Sequence, residues 1–200
     1  MPLRLLVYDR TCVRSGLTAS WVAGAALYAA LGRLDAATGA SSWSEALDWL
    51  LAVRPDQPVV EIQFWGHGRW GRALIDVDVL DASALRPGHP LAGRLTELRR
   101  RLSPGALWWF RTCETFGAIP GHRFARAFAE HQGVAVAGHT YVIGPLQSGL
   151  HRLLPGAAPH WSPEEGLVEG TPTTPVRAAV SRWSAPNTLT CLHGSIPAGW

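Results

Sequence analysis

Two residues of this chain have the types and surroundings needed for nucleophilic chemistry: Cys113, in Phe110-Arg111-Thr112-Cys113-Glu114, and His67, in Phe64-Trp65-Gly66-His67-Gly68. Each follows a hydrophobic run, Ala106 to Phe110 for the cysteine and Val59 to Trp65 for the histidine, and both runs read as core strands. In an open α/β sheet ligands bind outside the carboxyl ends of the strands, so two such strands lying side by side bring an imidazole and a thiol to one edge. A thiol attacks as its thiolate and needs a base nearby at neutral pH. The pattern predicts a Cys–His dyad. His67 lies between two glycines, which supply no side chains to wall it into a core, and Cys113 leads into polar Glu114-Thr115 and then Gly117. Glu61, Asp76 and Glu114 are the carboxylates nearest in sequence. Any of them could orient His67, although each is expected to face solvent. His139, after the hydrophobic run Val134 to Gly138, would border the cleft. Cys191-Leu192-His193 offers two metal ligands without a matching pair, short of a zinc motif, and no metal is expected.

A hydrophobic strand ending in His-Gly, followed later by a second hydrophobic strand ending in a small residue plus Cys, resembles the caspase-like (clan CD) cysteine peptidases. That superfamily includes caspases, legumains, gingipains and many bacterial caspase-like domains. The resemblance runs from about Pro58 to Gly144. It implies an α/β, caspase-like three-layer sandwich, a mostly parallel sheet with helices on both faces. It also implies a cysteine endopeptidase without cofactor, in which His67 is the acid/base and the amides of Gly68 and Cys113 form the oxyanion hole. The superfamily lines its primary pocket with the residue two before the cysteine and with a residue in the loop after the first strand, where caspases place an arginine. Here those positions are Arg111 and Arg14, the latter in Arg14-Ser15-Gly16, which implies cleavage after acidic residues. In caspases a small or polar residue and then Gly follow the cysteine, whereas here Glu114-Thr115-Phe116 precede Gly117; legumain-like members carry Glu at the first of these positions. The departure leaves a second expectation open, a catalytically inactive caspase-like scaffold or binding domain.

The elements that would hold these residues alternate as strand and helix, the signature of a mostly parallel sheet. Leu3 to Tyr8 reads as a strand, Thr18 or Ser20 opens a helix through Leu34, and an Ala/Thr/Gly/Ser loop leads to Ser44 as N-cap of Glu45 to Val53. After Gly68, alternation over Arg72 to Leu80 predicts a β-hairpin. A helix at Leu91 to Leu102 is ended by Ser103-Pro104-Gly105, and a helix at Gly121 to His131 follows the cysteine. From about Pro155 prolines recur, predicting an irregular surface segment with a last short strand near Thr188 to Leu192. In that segment, which contains Glu164-Glu165-Gly166 and Glu169-Gly170, self-cleavage is expected near Glu165 or Glu169.

At 200 residues, 47% hydrophobic and 16% charged, the chain suits one substantial core and a single domain over 1–200. All 18 basic side chains are arginine, and the net charge of +3 is too mild for a nucleic-acid binder. The run Arg99-Arg100-Arg101 reads as a solvated helix end. Three scattered cysteines argue against a disulfide framework and for a reducing compartment. With no signal-peptide pattern at the N-terminus and only the short Ala/Gly-rich stretch Leu17 to Leu31 free of charge, the expectation is a cytoplasmic protein, not a membrane one. Its partners would be a peptide or protein substrate and, as the resemblance allows, a homodimer mate at an edge strand or an activating protein. Most tryptophans, including Trp21, Trp43, Trp49, Trp65, Trp108 and Trp109, fall in apolar periodic segments and are expected in the core.

Overall fold

Near-continuous burial along the central strands decides the architecture. The computed structural model describes residues 2–200. Its sheet has six strands: β1 (Leu3–Asp9), β2 (Ala36–Ala40), β3 (Val59–Trp65), β7 (Leu102–Arg111), β8 (Ala135–His139) and β10 (Leu150–Leu153). Their spatial order is β10-β8-β7-β3-β1-β2, all parallel except β10, which runs antiparallel to β8. Leu3, Leu5 and Val7 of β1 face the same core as Ile62, Phe64, Trp108 and Phe110, while Leu6, Trp65 and Trp109 face the other side. Both faces are apolar, as a parallel sheet covered on both sides requires.

Helices α2 (Trp43–Ala52), α3 (Ala92–Arg99) and α4 (Ala118–Gln132) cover the first face through Leu47 and Leu50, Leu95 and Leu98, and Phe124 and Phe128. Helix α1 (Leu17–Ala30) covers the second through Ala25 and Tyr28. The C-terminal segment completes that second face, with Leu189, Ile196 and Trp200 packed around Trp109. Among the described residues no helix is long and apolar enough to cross a membrane.

A three-stranded antiparallel arm, β4 (His67–Arg69), β5 (Arg72–Ile75) and β6 (Asp78–Leu80), rises directly from β3. The Trp43 backbone N–H donates to Asp78 Oδ2 at 2.7 Å and its indole Nε1–H donates to the Ala73 carbonyl at 3.0 Å. These two bonds pin the arm to α2. The buried carboxylate of Asp9, at the end of β1, accepts from the Asp76 amide and ties the arm's far turn to the sheet.

Several local expectations change in the fold. Ala36–Ala40 is strand β2, not a loop, because pairing with β1 from Leu5↔Ala36 to Asp9↔Ala40 overrides the weak strand propensity of its Ala and Gly. Ser42 caps α2 in place of Ser44, its side chain accepting from the Glu45 amide at 3.1 Å. Ser103-Pro104-Gly105 lies inside β7, where the register with β3 slips between Val59 and Glu61; a proline without an N–H fits at such an irregularity. The segment from Pro155 is less irregular than expected. It forms a hairpin of β11 (Leu167–Gly170) and β12 (Pro175–Ala178), and β13 (Leu189–Thr190) pairs with β9 (Leu146–Gln147). Glu165 is not an exposed cleavage point: its Oε1 accepts from Thr140 Oγ1 at 2.7 Å and lies 2.6 Å from His151 Nε2.

Arg101 also departs from expectation. Its guanidinium donates to the carbonyls of Leu50, Leu51, Val53, Arg54 and Gln57, satisfying the end of α2 and the turn into β3. Arg101→Ala is expected to lower stability by roughly 1–2 kcal/mol, since charge-assisted hydrogen bonds to part-buried carbonyls are lost together, and a urea unfolding midpoint measures it.

Candidate active site

Strands β3 and β7 are neighbours and end at the same level, with Trp65 opposite Arg111. The chain therefore leaves the sheet on both strands within two residues of each other, delivering His67 and Cys113 to one edge. Both line a cavity of about 360 Å³ between α1, the strand ends and the loop after β8. The other walls are largely apolar: Leu17, Trp21, Leu27, Trp65, Ile143 and Leu192. Trp21, expected in the core, instead stands edge-on to the His67 ring with centroids 6.1 Å apart. No hydrogen bond joins His67 to Cys113, and both border the same cavity.

Cys113 is held by a short backbone ladder. The amides of Glu114 and Phe116 donate to the carbonyls of Tyr141 and His139 at 2.9 Å each, tying the loop after β7 to the end of β8 and the residues just after it. This grips Glu114 itself and Phe116, and it holds Glu114 at a φ of 32°, in the left-handed region that a non-glycine residue adopts only at a cost. The Ile143 amide then donates to Cys113 Sγ at 3.4 Å. Burial pushes the thiol pKa up, the Ile143 N–H pulls it down and the Glu114 charge adds to the rise, with burial the largest cause. The thiol is protonated at rest. The Cys113 amide has no partner on any other described residue, and its N–H turned toward its own sulfur also lowers the thiol pKa.

Gly68 fits this loop by having no side chain. A Cβ at this position would collide with Thr115 Oγ1, the Cys113 carbonyl and Thr112 Cβ, so only glycine lets β4 lie against the cysteine loop. That approach places the Gly68 and Cys113 peptides side by side.

The remaining expected residues fall elsewhere. Arg14 is exposed in the loop before α1 and does not line the cavity. His139 is wholly buried under the sheet, its Nδ1 3.2 Å from the Ser148 carbonyl and its ring stacked on Trp109; burial pushes its pKa down to about 3, which makes it a neutral core residue. Arg111 does line the cavity, but as a packed post. Its Nε and Nη2 donate to Gln147 Oε1 at 3.1 and 2.8 Å, Nη1 donates to the Tyr28 hydroxyl and the His193 carbonyl, and Nη2 donates to the Cys191 carbonyl. All five N–H donors are used, and the guanidinium lies over Trp109 at 4.4 Å. A substrate carboxylate would find no free fork here. Among the three carboxylates, Asp76 is exposed, Glu61 is largely buried and accepts from Gln63, and Glu114 is half-buried; none bonds to His67. Cys191 and His193 use their carbonyls to hold Arg111, and among the described residues no cluster of His, Cys, Asp or Glu could hold a metal.

The sequence reading missed Ile143, Trp21, Tyr28 and Gln147. Ile143 had a signal, since it follows the third of three adjacent parallel strands and so returns to the same edge. The other three had none. No protein-family model, curated protein or solved structure matches the chain.

Burial raises the Glu114 carboxyl to about 7, opposed by the Arg69 charge. Between its ordinary value near 4.5 and about 7 the folded chain holds a proton that the unfolded chain has released, so this group makes stability fall as pH rises through that window. Glu114→Gln is expected to match wild type near pH 5 and to exceed it at pH 8, read from urea midpoints at the two values.

Proposed function

We propose that this chain is a caspase-like cysteine endopeptidase that hydrolyses peptide bonds with Cys113 as nucleophile and His67 as acid/base. The observation that carries the reading is the shared cavity at the ends of β3 and β7, lined by an accessible imidazole and a thiol, with Gly68 lying against the cysteine loop. The mostly parallel sheet with its site at the carboxyl ends of the strands agrees with it.

In this mechanism the scissile carbonyl enters between the two side chains. The thiol proton passes to His67 as Sγ bonds to the carbonyl carbon, and the carbonyl electron pair moves onto oxygen, where the Cys113 and Gly68 amides receive it. Collapse of the tetrahedral intermediate breaks the C–N bond, and the imidazolium gives its proton to the leaving amine. Water then attacks the thioester, its proton passes to His67, and the departing sulfur takes that proton back. Each step uses groups on this chain, and no cofactor enters. The high thiol pKa means that the thiolate forms with the attack and is not stored in advance.

The cavity walls revise the expected specificity. With Arg14 outside and the Arg111 donors all used, a side chain entering beside Cys113 meets tryptophan, leucine and isoleucine. Peptides with Leu, Met or Phe before the scissile bond should be cleaved at least ~10-fold better than Asp counterparts, about 1.4 kcal/mol in transition-state binding. Preferred cleavage after Asp or Glu in a peptide-library profile would restore the arginine pocket.

Cys113→Ala should lose at least ~10³-fold in hydrolysis while keeping its fold. A peptidyl acyloxymethyl ketone should add its mass to Cys113 in wild type and not in His67→Ala. A folded wild-type protein that is neither labelled nor active would favour an inactive scaffold.

A further inference from the structure

Beyond the arm that carries His67 lies a second hollow of about 500 Å³, lined by Arg69, Arg72, Arg86 and Arg123 with Asp81 as its only carboxylate. Those arginines come from β4, from β5, from the turn after the 3-10 helix Ala82–Leu85 and from α4. We infer that this hollow is a docking site for an acidic segment of a polypeptide substrate, which rests on the peptidase reading above.

Three observations carry the inference. The first is that none of these cations is in an ion pair among the described residues, the Glu114 carboxyl acting on Arg69 only from a longer distance. Arg4, Arg10, Arg94 and Arg177 each pair with an Asp or Glu within 4.0 Å, but none of the four in the hollow does. Asp81 is engaged with its own turn, its Oδ1 accepting from the Ser83 amide and hydroxyl. Arg69 makes one long contact, 3.4 Å to the Val176 carbonyl. The excess of positive charge in the hollow is therefore three, equal to the net charge of the whole chain.

The second is that two of these arginines are held in opposition. Arg69 and Arg72 are directly paired across the β4–β5 turn, an arrangement that is destabilising for like charges. The turn between them is itself strained. Trp70 and Gly71 both have positive φ, 37° and 81°, which a two-residue hairpin turn demands but which a tryptophan resists. The Trp70 ring is buried against Ala118 and Ala178, clamping the turn where it is. A like-charge pair on a strained, clamped turn is the kind of cost that an anionic ligand offsets.

The third is position. Arg69 lies two residues beyond His67 on the same short strand, and residues i and i+2 share a face of a strand about 6–7 Å apart. An extended peptide with its scissile bond before Cys113 can reach the hollow within a few residues. All four arginines are solvent-exposed and come from four elements, a spread that suits several carboxylates along a chain better than one compact phosphate.

The test measures binding apart from turnover. Full-length protein is titrated by fluorescence anisotropy with a labelled tetra-glutamate peptide and with its tetra-glutamine counterpart at about 150 mM salt. The same titration is run on an Arg72→Gln/Arg123→Gln variant and on Arg94→Gln, with thermal melts to verify folding. The Glu peptide should bind at least ~10-fold more tightly than the Gln peptide, the double variant should abolish that difference, and Arg94→Gln should keep it. In cleavage assays the double variant should raise KM for a substrate bearing a Glu run at least ~10-fold more than for its neutral counterpart. Equal binding of the two peptides, or a preference untouched in the folded double variant, overturns the site. Tripolyphosphate that binds in the hollow far more tightly than the Glu peptide overturns the choice of a polypeptide. A Glu preference without hydrolysis of any peptide removes the peptidase reading and, with it, the substrate role of the hollow.

Discussion

A buried guanidinium with no carboxylate in contact is tolerable only when each of its N–H groups has an acceptor, and Arg111 imposes that constraint on α1, β9 and the C-terminal segment. Its position at the end of β7, next to Trp65 of β3, puts the cation under the second face of the sheet. To satisfy it the chain brings Tyr28 from α1, Gln147 from β9 and the carbonyls of Cys191 and His193 from the C-terminal segment to one point. The faces of Trp65, Tyr28 and Trp109 enclose it. The tail is therefore closed onto the sheet by a polar requirement as much as by the packing of Leu189, Ile196 and Trp200.

The same closure makes the cavity. Without the tail and α1 held together, the ends of β3 and β7 would open to solvent on that face, and His67 and Cys113 would lie on a flat edge. With them in place the thiol sits in an apolar recess, which raises its pKa, and the Ile143 amide offsets part of that rise. Glycine at position 68 and the left-handed backbone at Glu114 are the local costs of bringing two peptide units from different strands into contact. Rigid neighbours sustain both: the ladder from Glu114 and Phe116 to the end of β8, and the arm fastened to α2 and Asp9.

Charge is divided between two places with opposite character. Beside Cys113 the one cation is enclosed by acceptors and aromatic rings, so the recess offers a substrate shape and apolar surface. Farther along the arm four exposed arginines share a hollow with the single carboxylate of Asp81. A peptide crossing both would be selected by size at the scissile bond and by charge a few residues away, two requirements that do not compete for the same groups.

The sequence by itself determined the α/β character of the chain, the strands that carry His67 and Cys113, the hairpin after Gly68 and the meeting of the two side chains at one sheet edge. These follow from hydrophobic period and from the rule that parallel strands present their carboxyl ends together, which local residues encode. It did not determine strand β2, the cap at Ser42, the anchoring of Arg101 or the paired strands of the tail, because those depend on partners far along the chain. Nor could it place Arg14, Arg111 and His139, expected around a substrate. Whether an arginine is a ligand or a post, and a histidine a reactant or a core residue, is decided by which acceptors surround it, and only the tertiary structure brings Gln147, Tyr28 and the Cys191 carbonyl to Arg111 or lays Trp109 and Ser148 against His139.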